Sequence, residues 1–149
     1  MDLIPDRPHL ASPYRALLAF LEARLVLPDI SPAYYSALGI LLSILFLYAQ
    51  TTLGRVLIIG VVLLADWLDG ATARRYGQVR RAGYITDAAV DRLSEALIFS
   101  GEVTTLAGQV FFLLWLVNSL LTFYSVSSNQ HVSLPLRFLY IIALILYPQ

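Results

Sequence analysis

Five apolar runs, each close to the length a lipid bilayer demands, leave this chain little choice of fold. They cover residues 33–49, 53–73, 84–100, 104–126 and 134–147. A helical span takes roughly 20 residues, within a range of about 17–25. Backbone groups in lipid must be satisfied inside helices or closed barrels. The first four runs reach that length or nearly so, and the fifth is shorter. Composition agrees: 58% of the 149 residues are hydrophobic, mean hydropathy is +0.72 and 13% are charged. A soluble domain carries about 25% charged residues, so a water-soluble globule is excluded. The expected fold is all-α, a polytopic membrane bundle of about five transmembrane helices forming one domain over residues 1–149.

Residues 1–32 are expected to form a loop and then a surface helix, with the bundle occupying 33–149. Ser12-Pro13 reads as a helix start, since proline is tolerated in the first turn. Apolar positions 17, 18, 21 and 25 then alternate with Arg15, Glu22 and Arg24, as in an amphipathic helix lying on a membrane. Pro28 and Pro32 end it. No secretory signal is read, because Asp2 and Asp6 stand where a basic n-region belongs. Cysteine is absent, which excludes disulfides and thiolate metal sites. His9 and His131 stand alone near polar ends and suggest no histidine metal cluster.

Arginine supplies all ten basic residues, and its distribution orients the chain. Arg74, Arg75, Arg80 and Arg81 crowd the connection between the second and third runs. Arg7, Arg15 and Arg24 precede the first, and Arg137 opens the fifth. Alternating spans put all of these on one side, the cytoplasmic one, with Arg55 at the opposite end.

Within this apolar framework stand four aspartates, Asp66, Asp69, Asp87 and Asp91. Spacings of three and four put each pair on one helical face. A carboxylate at the bilayer centre costs ~2.5–3.5 kcal/mol on insertion scales. Four would repel one another, so one or two divalent cations are the expected partners. At 1.5 Å per residue, Asp66 and Asp69 fall roughly 12 and 8 Å before Arg74, and Asp87 and Asp91 roughly 6 and 12 Å beyond Gly83. Both pairs therefore reach one level, beneath the cytoplasmic headgroups.

The string from Asp66 to Asp91 reads D-x-x-D-G-x-x-A-R, eight residues, then G-x-x-x-D-x-x-x-D, with Asp66, Asp69, Gly70, Ala73, Arg74, Gly83, Asp87 and Asp91 at the fixed positions. It resembles the signature of the CDP-alcohol phosphotransferase family at every position. The resemblance implies transfer of a substituted phosphate from a CDP-linked lipid to an alcohol hydroxyl, with release of CMP, in phospholipid biosynthesis. It implies that Asp66, Asp69 and Asp87 hold metal and that Asp91 completes the site and takes the acceptor's proton. Two divalent ions, Mg²⁺ or Mn²⁺, suit such hard oxygen ligands. Gly70, Ala73, Arg74 and Gly83 would contact CDP, and Gly83 would also permit the turn into the third span.

Weaker likenesses extend outward. Pro32-Ala33-Tyr34-Tyr35-Ser36 resembles the family's P-N-x-x-[TS], with Ser36 keeping the hydroxyl for CDP and Ala33 replacing asparagine. Asp91-Arg92-Leu93-Ser94-Glu95 resembles D-R-x-S-[DE]; Glu95, one turn past Asp91, would hydrogen-bond in the pocket or be protonated. Arg137 occupies the place of the family's basic residue before the fifth span and is assigned to the acceptor. Gln109 and Asn118 are read as hydrogen-bonding between helices. The resemblance further implies a small alcohol acceptor, a homodimer and no nucleic-acid partner. It places the protein in the cell membrane with its active site facing the cytoplasm, in a fold that usually has six spans, leaving open a further helix beyond Gln149. A divalent-cation transporter and a catalytically impaired membrane scaffold are the competing classes.

Overall fold

A computed structural model describes Phe20, Arg24 and residues 27–128 and 133–147. Most of the expected N-terminal loop and surface helix, with His9 and His131, lies outside these residues. Phe20 and Arg24 are helical, one turn apart, and the Arg24 guanidinium lies 4.3 Å from the Phe20 ring centroid. Five helices follow in order: α1 (Ala33–Phe46), α2 (Thr52–Arg75), α3 (Arg81–Ser100), α4 (Leu106–Ser128) and α5 (Leu136–Leu146). No strand occurs among the described residues, so the all-α expectation holds.

Two helices, α2 with 24 residues and α4 with 23, are long and apolar enough to cross a membrane. Helix α3 has 20 residues and carries Asp87, Asp91 and Glu95. Helices α1 and α5, with 14 and 11 residues, fall short of the spans expected from their runs. The first run stops early because Leu47, Tyr48 and Ala49 turn back onto the carbonyls of Ile44, Leu45 and Phe46. Thr51 then caps α2 by accepting the Gly54 N–H at 3.1 Å.

Between α2 and α3 the chain reverses at Gly77, not at Gly83 as expected. Gly77 has φ +64°, the left-handed conformation that only glycine adopts at little cost. The Gln78 N–H reaches the Ala73 carbonyl at 2.8 Å and the Gly77 N–H reaches Arg74 at 3.4 Å, a Schellman closure. Gly83 sits inside the first turn of α3, with open space where a Cβ would project.

Helix α1 packs on both α2 and α3, α3 packs on α4, and α5 closes against α2 and α4. The hydrophobic core lies at the end away from the arginine-rich connection: Phe46, Ile59, Ile98, Phe99, Leu136, Tyr140 and Leu144. Tyr140 meets Phe99 and Phe111 edge-on, with centroids 5.3 and 4.8 Å away. At that same end Arg55 grips Glu102 through two nitrogens, each 3.1 Å from a carboxylate oxygen. Burial pushes the Glu102 carboxyl up, while the Arg55 guanidinium pulls it back.

Candidate active site

The acidic level lies between that core and the arginine-rich connection. Its position follows from α1, which packs on both α2 and α3, and from the short Gly77 reversal that returns the chain beside it. Asp69 is buried, Asp66 and Asp91 are half-buried, and Asp87 is exposed. On α3, Asp87, Asp91 and Glu95 follow at intervals of four and share a face. Both helices run unbroken through their acidic residues, unlike the interrupted helices that carry ion sites in many transporters.

Helix α1 supplies a lining of small residues at helical spacing. The Ser36 hydroxyl donates to Asp69 Oδ2. A Cβ built on Gly39 would come within 4.0 Å of Asp66 Oδ1. Ser43 and Ser94 share a hydrogen bond of 2.6 Å, locking α1 to α3 just beyond the acidic level. Ser36 was legible from its neighbours in sequence. Gly39 and Ser43 were not, although the spacing of positions 36, 39 and 43 was the available signal.

Arg74 is exposed and its guanidinium folds back over Gly70, where Nη1 would lie 3.1 Å from a built Cβ. Ala73 is on the same turn of α2, one residue before it. Gly70, Ala73 and Arg74 therefore form a low surface beside the carboxylates, with Gly83 across the reversal.

Arg137 stands at the centre instead of at a headgroup boundary. Its Nη1 donates to Asp66 Oδ2 and its Nη2 to Asp91 Oδ1, joining α2 to α3. Its Nε lies 3.8 Å from Glu95 Oε1. The side chain is 4% exposed. Glu95 pairs in addition with Arg92 at 2.9 Å, and the Trp115 indole N–H fixes the Arg92 carbonyl at 2.9 Å.

The depth of Arg137 comes from one asparagine. Asn118 on α4 donates to the Leu134 carbonyl at 3.1 Å and accepts the Leu134 N–H at 2.7 Å. Leu134 is thus held level with a residue ten positions before the end of α4, roughly 15 Å along that helix. Leu134 therefore lies beside the middle of α4, and α5 begins deep. Orientation by arginine counting had placed Arg137 at the span's mouth; the Asn118 tether carries it down to the acids. Asn118, expected to hydrogen-bond between helices, ties α4 to the backbone of Leu134 just ahead of α5, whereas Gln109, read the same way, bonds to the Val103 carbonyl ahead of its own helix at 3.0 Å.

Among the described residues no three acidic or histidine side chains converge as a ready metal cage. The chemistry of the donors nevertheless suits a hard divalent cation. Every candidate ligand is an oxygen, and a positive group already stands against two of the four carboxylates. Asp66, Asp69, Asp87 and Asp91 could hold such ions once the Arg137 nitrogens withdraw from Asp66 and Asp91.

Comparison with known proteins matches this framework. The family model described as CDP-alcohol phosphatidyltransferase covers residues 26–146. An archaetidylinositol phosphate synthase from Pyrococcus horikoshii is 38% identical over 77 residues, which is 48% of this chain and 40% of the relative. The chain thus aligns with less than half the length of that curated relative. No solved structure matches.

Proposed function

The chain belongs to the CDP-alcohol phosphatidyltransferase family, and from that premise we propose that it transfers a phosphatidyl-type group from a CDP-activated lipid to the hydroxyl of a small alcohol, releasing CMP. This would be a step of phospholipid biosynthesis at the membrane. The family is generally dependent on divalent cations. The observation that carries the reading is the arrangement of the eight motif positions. They lie on two helices joined by one short reversal, with Asp66 and Asp91 within the span of one guanidinium.

Asp66, Asp69 and Asp87 would hold the cations, with Asp91 completing the set; Mg²⁺ or Mn²⁺, two ions in all, would fit the oxygen donors. Bound there, the metal would neutralise charge on the diphosphate and stabilise departing CMP. Gly70 and Ala73 let the nucleotide approach α2 closely, and Arg74 swings from Gly70 to the diphosphate. Gly83, with open space at its Cα, and Ser36, above Asp69, border the same nucleotide. Asp91 accepts the hydroxyl proton as the acceptor oxygen bonds to phosphorus and the bond to CMP breaks. Arg137, the cation at the centre of the site, receives the acceptor's anionic group. The name of the Pyrococcus relative, an archaetidylinositol phosphate synthase, favours an inositol phosphate as acceptor. The active site opens to the cytoplasm, as the arginine distribution indicates, and the protein works as a homodimer.

The test is CMP release from a CDP-lipid by purified protein in detergent, with Mg²⁺ or Mn²⁺ and each of glycerol phosphate, inositol phosphate, serine and inositol. Metal-dependent release is expected, falling by about 10²–10⁴-fold in Asp91→Asn as a general base is lost. No release with any acceptor, or full release from Asp91→Asn, overturns the reading.

A further inference from the structure

The most unusual placement in the molecule is a guanidinium set across the two carboxylates that a catalytic metal would use. We propose that Arg137 is the resident counter-cation of the metal-free site, competing with divalent ions for Asp66 and Asp91, and that metal binding turns its Nη groups toward the acceptor. The inference rests on the transferase reading for the acceptor's place, but its metal half stands on geometry alone.

Five carboxylates, Asp66, Asp69, Asp87, Asp91 and Glu95, share this level with the guanidiniums of Arg92 and Arg137. Arg92 is engaged with Glu95, and Arg137 meets a motif aspartate on each helix, Asp66 on α2 and Asp91 on α3. Its planar fork spans from α2 to α3, which a compact ammonium does not do with one pair of parallel bonds. A guanidinium and a divalent cation are both positive and claim the same Asp66 and Asp91 oxygens. They cannot occupy that place together.

The geometry also supplies the resting place for the displaced side chain. Glu95 approaches Nε, the nitrogen not used on the aspartates, at 3.8 Å. Its carboxylate is 3% exposed and is steadied by Arg92. When Nη1 and Nη2 leave Asp66 and Asp91, the Glu95 contact keeps Nε in place while the two Nη groups rotate outward. Glu95 is therefore a positioning residue for Arg137. The guanidinium offsets the aspartates on its own; the added positive charge of a divalent ion would take over that role and free the guanidinium for an anionic acceptor.

Mn²⁺ binding, read by electron paramagnetic resonance on purified protein without CDP-lipid, tests this directly. Arg137→Met should bind Mn²⁺ about tenfold tighter or more, since a hydrogen-bonded competing charge is gone. Arg137→Lys should fall between. Unchanged or weaker Mn²⁺ binding by folded Arg137→Met overturns the proposal. Wild-type protein provides a second reading that needs no substitution: phenylglyoxal modification mapped by mass spectrometry. Arg137 should be protected in EDTA and modified at saturating Mg²⁺; protection that persists with Mg²⁺ overturns the proposal. Neither measurement requires CMP release, so a failed transferase reading and a failed Arg137 reading give different results.

Discussion

Replacing Asn118 with leucine would separate the depth of Arg137 from its identity. Asn118 is fully buried (0% exposed), and its amide makes both hydrogen bonds that hold Leu134, at 2.7 and 3.1 Å. Leucine keeps the volume and removes both partners. Hydrogen bonds between membrane segments average ~0.6 kcal/mol, so two account for about 1 kcal/mol. Leaving the part-buried Leu134 N–H and C=O without partners adds ~1–3 kcal/mol each. The expected loss is therefore roughly 3–7 kcal/mol, lowering the melting temperature in detergent by at least about 6 °C on the scale for chains of this size. Because Leu134 sets where α5 begins, Arg137 should also leave Asp66 and Asp91, and CMP release should fall with it. Ser119→Ala is the matched control, since that hydroxyl bonds only back to Trp115 in its own helix at 2.8 Å. Equal melting of the leucine variant and the control would refute the idea that Asn118 sets the depth of α5.

Two further outcomes follow from the opposite end of the bundle. A Cβ on Gly108 would overlap the Glu102 carbonyl, and that neighbour is backbone, so Gly108→Ala should cost about 1–3 kcal/mol of detergent stability as an overpacking change; unaltered melting would show that the loop yields freely. Arg55→Met should destabilise toward the lower end of the ~3–5 kcal/mol seen when a buried pair loses one partner. Glu102 has a carboxyl raised by burial. Its favourable contribution is therefore fully present below the ordinary glutamate value of about 4.3 and declines as pH rises through the raised value. The Arg55→Met defect should accordingly shrink on acidification, and Glu102→Gln should flatten the pH dependence; melting curves across that range would contradict this if the defect grew at low pH.

The location of the acidic level could be read from residue order, because helical rise and the spacing of the aspartates are local properties. Identification of α2 and α3 as its carriers followed from the same arithmetic. The shortness of α1 could not be read this way. Apolar residues continue past it, and hydropathy does not register where hydrogen bonding turns Leu47, Tyr48 and Ala49 aside. Gly83 and Gly77 show the same limit: both are glycines near one reversal, and only the positive φ of Gly77 distinguishes the residue that makes it.

The one-dimensional chain by itself determined that this protein is a helical membrane bundle with carboxylates gathered below an arginine-rich connection. Periodicity, length and charge cost act within a helix or between consecutive ones, so they survive without coordinates. Tertiary structure alone decided that Arg137 bridges Asp66 and Asp91, that Ser43 meets Ser94, and that Glu102 closes on Arg55. Those partners lie 46 to 71, 51 and 47 residues apart. Their meeting depends on how far α5 is drawn back into the bundle and which faces the helices share, quantities set by packing and by Asn118 and absent from local sequence.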